Sequence, residues 1–193
     1  KPVIFGVPHF QGPLNEVCDS YGIKRSFQHN LISVDGNAKE AVFKQSDKDG
    51  NSKEVTKKFD FIHVTPPQTS PDFIKNSPLA DAGGWVDVDH KNGTLRHTKY
   101  ENIYSLGDVM NAPNAKTGAA VRKQAPIVAH NIIKDINKSS DEYRLYDGYG
   151  ACPLTVAYGK VMLAEFCYGG KVTPSFPFDL SLIHISEPTR QWS

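Results

Sequence analysis

Two stretches of this sequence place residue types where chemistry could be done. In Tyr104-Ser105-Leu106-Gly107-Asp108 an apolar run ends in a glycine and a carboxylate, and a helical pattern follows after a short loop. Glycine lets the backbone come close to a ligand. A carboxylate at the C-terminal end of a strand can accept a hydrogen bond from a sugar-like hydroxyl. The helix start offers free N–H groups and the positive end of its dipole. Lys116-Thr117-Gly118 stands at that start, placed to meet an electron-rich ring edge. Taken alone, Gly107-Asp108 fits a plain strand end with a capping aspartate equally well.

The second stretch is Tyr146-Asp147-Gly148-Tyr149-Gly150-Ala151-Cys152-Pro153-Leu154. Two glycines allow an unusual backbone on the approach to Cys152. Pro153 has no N–H and holds the chain extended beyond it. This is how a thiol is displayed at a fixed point. No basic residue is near in sequence, so a thiolate there depends on tertiary neighbours or a bound flavin. A buried structural cysteine at a strand start is the plainer alternative. Cys167 reads as packing or surface, and Cys18 as a core thiol on the apolar face of a short helix.

The elements that must position these residues follow from periodicity. Residues 2–7 (PVIFGV) read as a buried strand ended by Pro8, and residues 13–21 as a short helix with Pro13 at its first position. Residues 25–34 and 40–44 read as strands, 45–53 as a loop or hairpin tip, and 59–65 (FDFIHVT) as an apolar strand stopped by Pro66-Pro67. A loop with a short turn near 71–76 comes next. Asn92-Gly93 marks a hairpin within 85–98. A long helix is predicted from about Lys116 to Asn137, with Ala119, Ala120, Val121, Ile127, Val128, Ile132, Ile133 and Ile136 as its apolar faces and a kink or turn at Pro126. Residues 146–168 read as a hairpin turning at Tyr158-Gly159-Lys160. Strands outnumber helices, and there is no internal repeat.

Bulk composition excludes several classes. The 193 residues are 39% hydrophobic and 22% charged, with net charge +1, which does not suggest a nucleic-acid binder. No run has the length of a transmembrane helix. Three cysteines without CxxC are too few for a disulfide scaffold, and no His or Cys pair has metal-ligand spacing, so no metal is expected. The opening Lys1-Pro2-Val3, without an initiator Met, reads as a truncated chain. Residues 180–190 (LSLIHISEPTR) look like the translation of a DNA library adapter. Residues 180–193 are therefore read as a sequencing artefact, against a natural amphipathic tail.

The two chemical stretches, in this order, resemble the sulfide:quinone oxidoreductases of the two-dinucleotide-binding-domain flavoproteins. The similar segments are PVIFGV, FDFIHVTPPQ, GWVDVD, NIYSLGDVMNAPNAKTGAAVRKQAPIVAHNI and YDGYGACPLTVAYGKVMLAEFCYGGKVTPSFPFD, so the resemblance spans residues 1–179. It implies an α/β fold, a partial Rossmann-like two-dinucleotide-binding-domain arrangement. Residues 1–100 would be the remainder of the second Rossmann domain, and 101–179 the C-terminal FAD-contacting part with its redox-cysteine hairpin. It also implies FAD as cofactor and sulfide and quinone as partners. Asp108, after Gly107, matches the residue that holds the FAD ribityl chain. Lys116, Thr117 and Gly118 match the flavin-ring contact. Cys152 matches the second of two redox cysteines, and Phe176 and Phe178 fall near the quinone pocket.

The implied enzyme is peripheral to a membrane, either the bacterial plasma membrane or the mitochondrial inner membrane. Homo-oligomer formation stays open. Departures set limits. There is no Gly-x-Gly-x-x-Gly, the other redox cysteine is missing, and so are the amphipathic helices that dock on the membrane. This stretch alone is therefore expected to be inactive and to hold flavin poorly. The alternatives are a type II NADH:quinone oxidoreductase-like flavoprotein, which needs no cysteine, and a non-catalytic remnant.

Overall fold

In a computed structural model, the structure describes residues 2–175 and the two-residue strand Ile183–His184. Helices and antiparallel strands are mixed, as expected of an α/β chain. The chain divides into two compact units, Lys1–Pro67 and Gln68–Ser193.

The first unit opens differently from the strand expected at residues 2–7. No strand forms there, and Pro8–Phe10 is a turn of 3-10 helix running into α1 (Gln11–Ser20). The apolar residues pack locally instead. Val7 and Phe10 are buried, and the Phe5 and Phe10 rings meet edge to face at 5.9 Å. Pro13 lies inside the first turn of α1, where a missing N–H costs no helical bond.

A three-stranded antiparallel sheet follows, β1 (His29–Asp35), β2 (Glu40–Ser46) and β3 (Ser52–Lys58), with β2 central. Side-chain carboxylates make its turns. Asp35 accepts from the amides of Asn37 and Ala38, each at 2.9 Å, and Asp47 from those of Asp49 and Asn51. The second turn decides where the third strand begins. It sets polar Ser52–Lys58 against β2, with Val55 opposite Phe43. The apolar FDFIHVT segment was the expected strand. It forms none, and the partner place beside β2 is held by β3.

In the second unit, α2 (Asp72–Lys75) is the short turn expected in the proline-rich loop. The segment 85–110 is held by single bridges, Val88 with His97, Val86 with Met110 and Arg96 with Tyr104, rather than by extended strands. Gly93 turns as predicted at φ 76°, but Leu95 is also left-handed at φ 61°, so the hairpin cannot run straight. Val86, Val88, Leu95, Met110, Val128 and Tyr146 form its core.

Helix α3 (Gly118–Asn137) is capped by Thr117, whose hydroxyl accepts from the Ala120 amide at 3.2 Å, and ends at left-handed Lys138. It continues through Pro126, which is exposed, so water can reach the Arg122 carbonyl that loses its donor. Its buried seam is Ala120, Gln124, Val128 and Asn131. Ile132, Ile133 and Ile136, expected on an apolar face, are exposed. Asn131 is fully buried and satisfied, donating to the Thr94 and Arg144 carbonyls and accepting from the Arg144 amide.

The predicted C-terminal hairpin forms as β4 (Gly150–Ala157) and β5 (Lys160–Phe166), with fully exposed Tyr158 at its turn. The strand β6 (Ile183–His184), in the adapter-like tail, pairs with the start of β5.

Candidate functional site

The loop between the 3-10 turn Gly107–Val109 and α3 closes on itself through Lys116. The ammonium donates to the Asp108 and Met110 carbonyls, both at 2.6 Å, and lies 4.1 Å from the centre of the Trp85 ring. Burial pushes its pKa down, against the pull of Asp108 and Asp81. Lys116 therefore shapes the loop as well as facing its pocket. Asp108 is exposed. The Gly107 amide donates to the buried Gln124 side chain at 2.8 Å.

Gly107, Asp108, Lys116 and Thr117 line one pocket together with Asn114 and Gln124, and Gly118 starts the helix beside it. The pocket is small, with a cavity volume of about 10 Å3. Complete small-molecule sites hold roughly 300–1,000 Å3, so by itself this pocket has no room for a cofactor. An exposed carboxylate, a half-buried ammonium and the free amides at a 20-residue helix start fit the donors and acceptors of a flavin's ribityl chain and ring edge. A larger cleft, about 880 Å3, is lined by Arg96, Tyr104, Asp135, Ile136 and Tyr143. It holds none of the predicted residues, and its Asp135 carboxylate is already taken up by the hydroxyls of Tyr104 at 2.6 Å and Tyr143 at 2.5 Å.

Cys152 stands in β4 opposite Ala164 on β5, half-buried. Burial alone pushes its thiol pKa up. The cation that sequence reasoning sought among tertiary neighbours does not act on it among the described residues. Cys167 is buried, with its sulfur 3.4 Å from the Thr173 hydroxyl, as expected of a packing cysteine. Cys18 is half-buried on α1. Phe176 and Phe178 lie outside the described residues.

The pocket and the cysteine strand are joined by a residue that sequence reasoning passed over. Asn114 donates from its side-chain amide to the Gly148 carbonyl and, at 3.2 Å, to the Tyr146 hydroxyl. Gly148 needs its missing side chain. Its φ is 85°, and a Cβ would run into the Tyr168 ring. Gln124 was also missed. The signal was present, since a polar residue at the 120, 124, 128 spacing of a helix's inner face must have a buried partner.

This geometry has relatives. The mitochondrial sulfide:quinone oxidoreductase of Dictyostelium discoideum is 45% identical over 179 residues, 92% of this chain and 38% of that protein. The mouse enzyme is 42% identical over 92% of the chain, and that of Schizosaccharomyces pombe 36% over 91%. The chain resembles the sulfide:quinone oxidoreductases. It spans about two fifths of the length of these relatives. A chain within the Tetrahymena thermophila mitochondrial ATP synthase F1Fo composite tetramer superposes with a TM-score of 0.72 at 24% identity. That match covers 86% of this chain and 39% of the other, and at this identity it shows a shared fold alone. No family model matches the chain. The sulfide:quinone oxidoreductase relatives are mitochondrial by name. Among the described residues of this chain, no helix is long and apolar enough to cross a membrane.

Proposed function

We propose that this chain is the flavin-contacting and thiol-bearing portion of a sulfide:quinone oxidoreductase with a partial Rossmann-like, two-dinucleotide-binding-domain fold, working at the surface of the mitochondrial inner membrane. Kinship with three enzymes of that name supports the reaction class. The observation that carries the residue assignment is the Asn114 link. The loop bearing Asp108, Lys116 and Thr117 bonds directly to the backbone four residues before Cys152, which supports reading pocket and thiol strand as one site.

In this reading Asp108 accepts from a ribityl hydroxyl, while Lys116 and the amides after Thr117 face the flavin ring. Cys152 forms a disulfide with a second cysteine. Hydrosulfide attacks one sulfur, the S–S bond breaks, and a persulfide and a thiolate remain. The new S–S bond holds the sulfide sulfur. Passing the outer persulfide sulfur to a further nucleophile, a second hydrosulfide or a thiol, would leave two cysteine thiolates, and FAD held by Asp108 and Lys116 would supply the two-electron acceptor that lets them close to the disulfide again, with quinone as the final acceptor. Burial of Cys152 favours the protonated thiol, so the neighbouring positive helix end or bound flavin must offset it.

The test is sulfide-dependent quinone reduction by a full-length oxidoreductase carrying this stretch, compared with its Cys152→Ser variant. Loss of most of the rate with an unchanged flavin spectrum is expected. Near-full activity of the variant, or turnover with NADH and not with sulfide, would overturn the assignment.

A further inference from the structure

The Tyr146 ring belongs to the core of the second unit, and its hydroxyl is buried with it. The hydroxyl donates to the Tyr149 carbonyl at 2.5 Å and accepts from the Asn114 side-chain amide at 3.2 Å. Burial pushes the phenol pKa up, opposed by hydrogen bonds from Gln124 and Asn114. The partners of Gln124 and Asn114 lead outward. Gln124 holds the Gly107 amide at 2.8 Å, and the Asn114 carbonyl oxygen accepts from the Ala115 amide at 2.8 Å. On the other side, only Gly150 and Ala151 separate Tyr149 from Cys152. Both are buried and already paired in β4, with Phe166 and Glu165. The backbone of Tyr146 is itself pinned, its amide donating to Gly93 at 2.8 Å, where a side chain at Gly93 would meet the Tyr146 carbonyl at 2.7 Å.

We infer that the Tyr146 hydroxyl is a positioning group that couples the Gly107–Thr117 loop to the display of Cys152. A phenol hydroxyl has one proton to donate and two lone pairs to accept with. Here the donation goes to the approach to Cys152, and the acceptance serves the pocket loop. Core packing needs only the ring, which phenylalanine would supply equally well. The oxygen serves the segments of the proposed site. Removing it orphans the Tyr149 carbonyl and an Asn114 N–H in a low-dielectric interior, where an unmade bond costs most. The inference deepens the reading of Cys152 as the working thiol and rests on it.

The experiment uses this chain and no sulfide or quinone, so its outcome is independent of the turnover test. Iodoacetamide alkylation of Cys152 is followed by peptide mass spectrometry across about pH 6 to 10, the range in which thiols ionise. In Tyr146→Phe and in Asn114→Ala the loosened approach hydrates the thiol and moves the pH–rate profile to lower pH. A tenfold gain in thiolate nets about a threefold faster rate, since nucleophilicity falls with pKa. Tyr143→Phe removes a different tyrosine hydroxyl, one bonded to Asp135, and leaves the profile in place. The inference is overturned if folded Tyr146→Phe and Asn114→Ala keep the wild-type profile, or if Tyr143→Phe moves it as far. Should Tyr146→Phe fail to fold, Asn114→Ala decides by the same criterion.

Discussion

The Lys116 ammonium lies 4.1 Å from the centre of the Trp85 ring while it donates to two carbonyls of its own loop. A cation held this way staples residues 108–116 to the segment that carries Trp85. Lys116→Met keeps the aliphatic stem and removes the charge. The two charge-assisted bonds and the cation–π contact together suggest a loss of about 1–3 kcal/mol. Urea unfolding reads it as a lower midpoint at unchanged slope. A midpoint equal to wild type would mean the staple contributes nothing.

Glu165 is almost fully buried between the Tyr149 hydroxyl, the Ser175 hydroxyl and the Ser175 amide. Burial pushes its pKa up, but the bonds from Ser175 and Tyr149 and the charge of Lys123 bring it below the ordinary glutamate value. A carboxyl depressed in the folded state adds stability that is complete above its unfolded pKa, about 4.3. That stability is lost as pH falls through the folded value. Glu165→Gln should flatten this acid limb in a pH series of thermal midpoints. An identical acid limb in the variant would show that Glu165 is not the group being titrated.

Gly148 and Gly118 should respond in opposite ways to alanine. At Gly148 a Cβ meets the Tyr168 ring at positive φ, which suggests a cost of at least about 2 kcal/mol. At Gly118, on the first turn of α3, nothing lies within 4 Å. Alanine there is neutral or stabilising by up to about 1 kcal/mol. Calorimetric midpoints of the two variants check the contrast, and equal losses at both positions would contradict it.

The three thiols should differ in access. Cys18 and Cys152 are half-buried, whereas Cys167 is buried against Thr173. Under native conditions Cys167 should be the last to react with a disulfide reagent, at least about tenfold behind the other two. Reaction of Cys167 at the rate of Cys152 would mean that the segment around Tyr168 opens readily.

Where local chemistry decides structure, the sequence was enough. Asn92-Gly93 and Tyr158-Gly159 turn as read, α1 ends by Gly22, and α3 begins at the Thr117 cap because a threonine hydroxyl satisfies its own helix start. Gly107, Asp108, Lys116 and Thr117 share a pocket because a 3-10 turn, a loop and a helix start that adjoin in sequence also adjoin in space, although no strand leads into Gly107 as the sequence suggested. Similarity to the sulfide:quinone oxidoreductases was legible in the same segments.

Tertiary partners decided the rest. PVIFGV and FDFIHVT have the composition of strands, yet neither pairs with a sheet edge, while polar Ser52–Lys58 is placed by the turn at Asp47. Ile132, Ile133 and Ile136 of α3 lie outside and its polar Gln124 and Asn131 inside, because hydrogen-bond partners from Gly107, Thr94 and Arg144 wait on that face. Periodicity records hydrophobicity along one segment. It cannot record which backbone groups of distant segments need a partner, and those needs tie Asn114 and Tyr146 to the approach of Cys152.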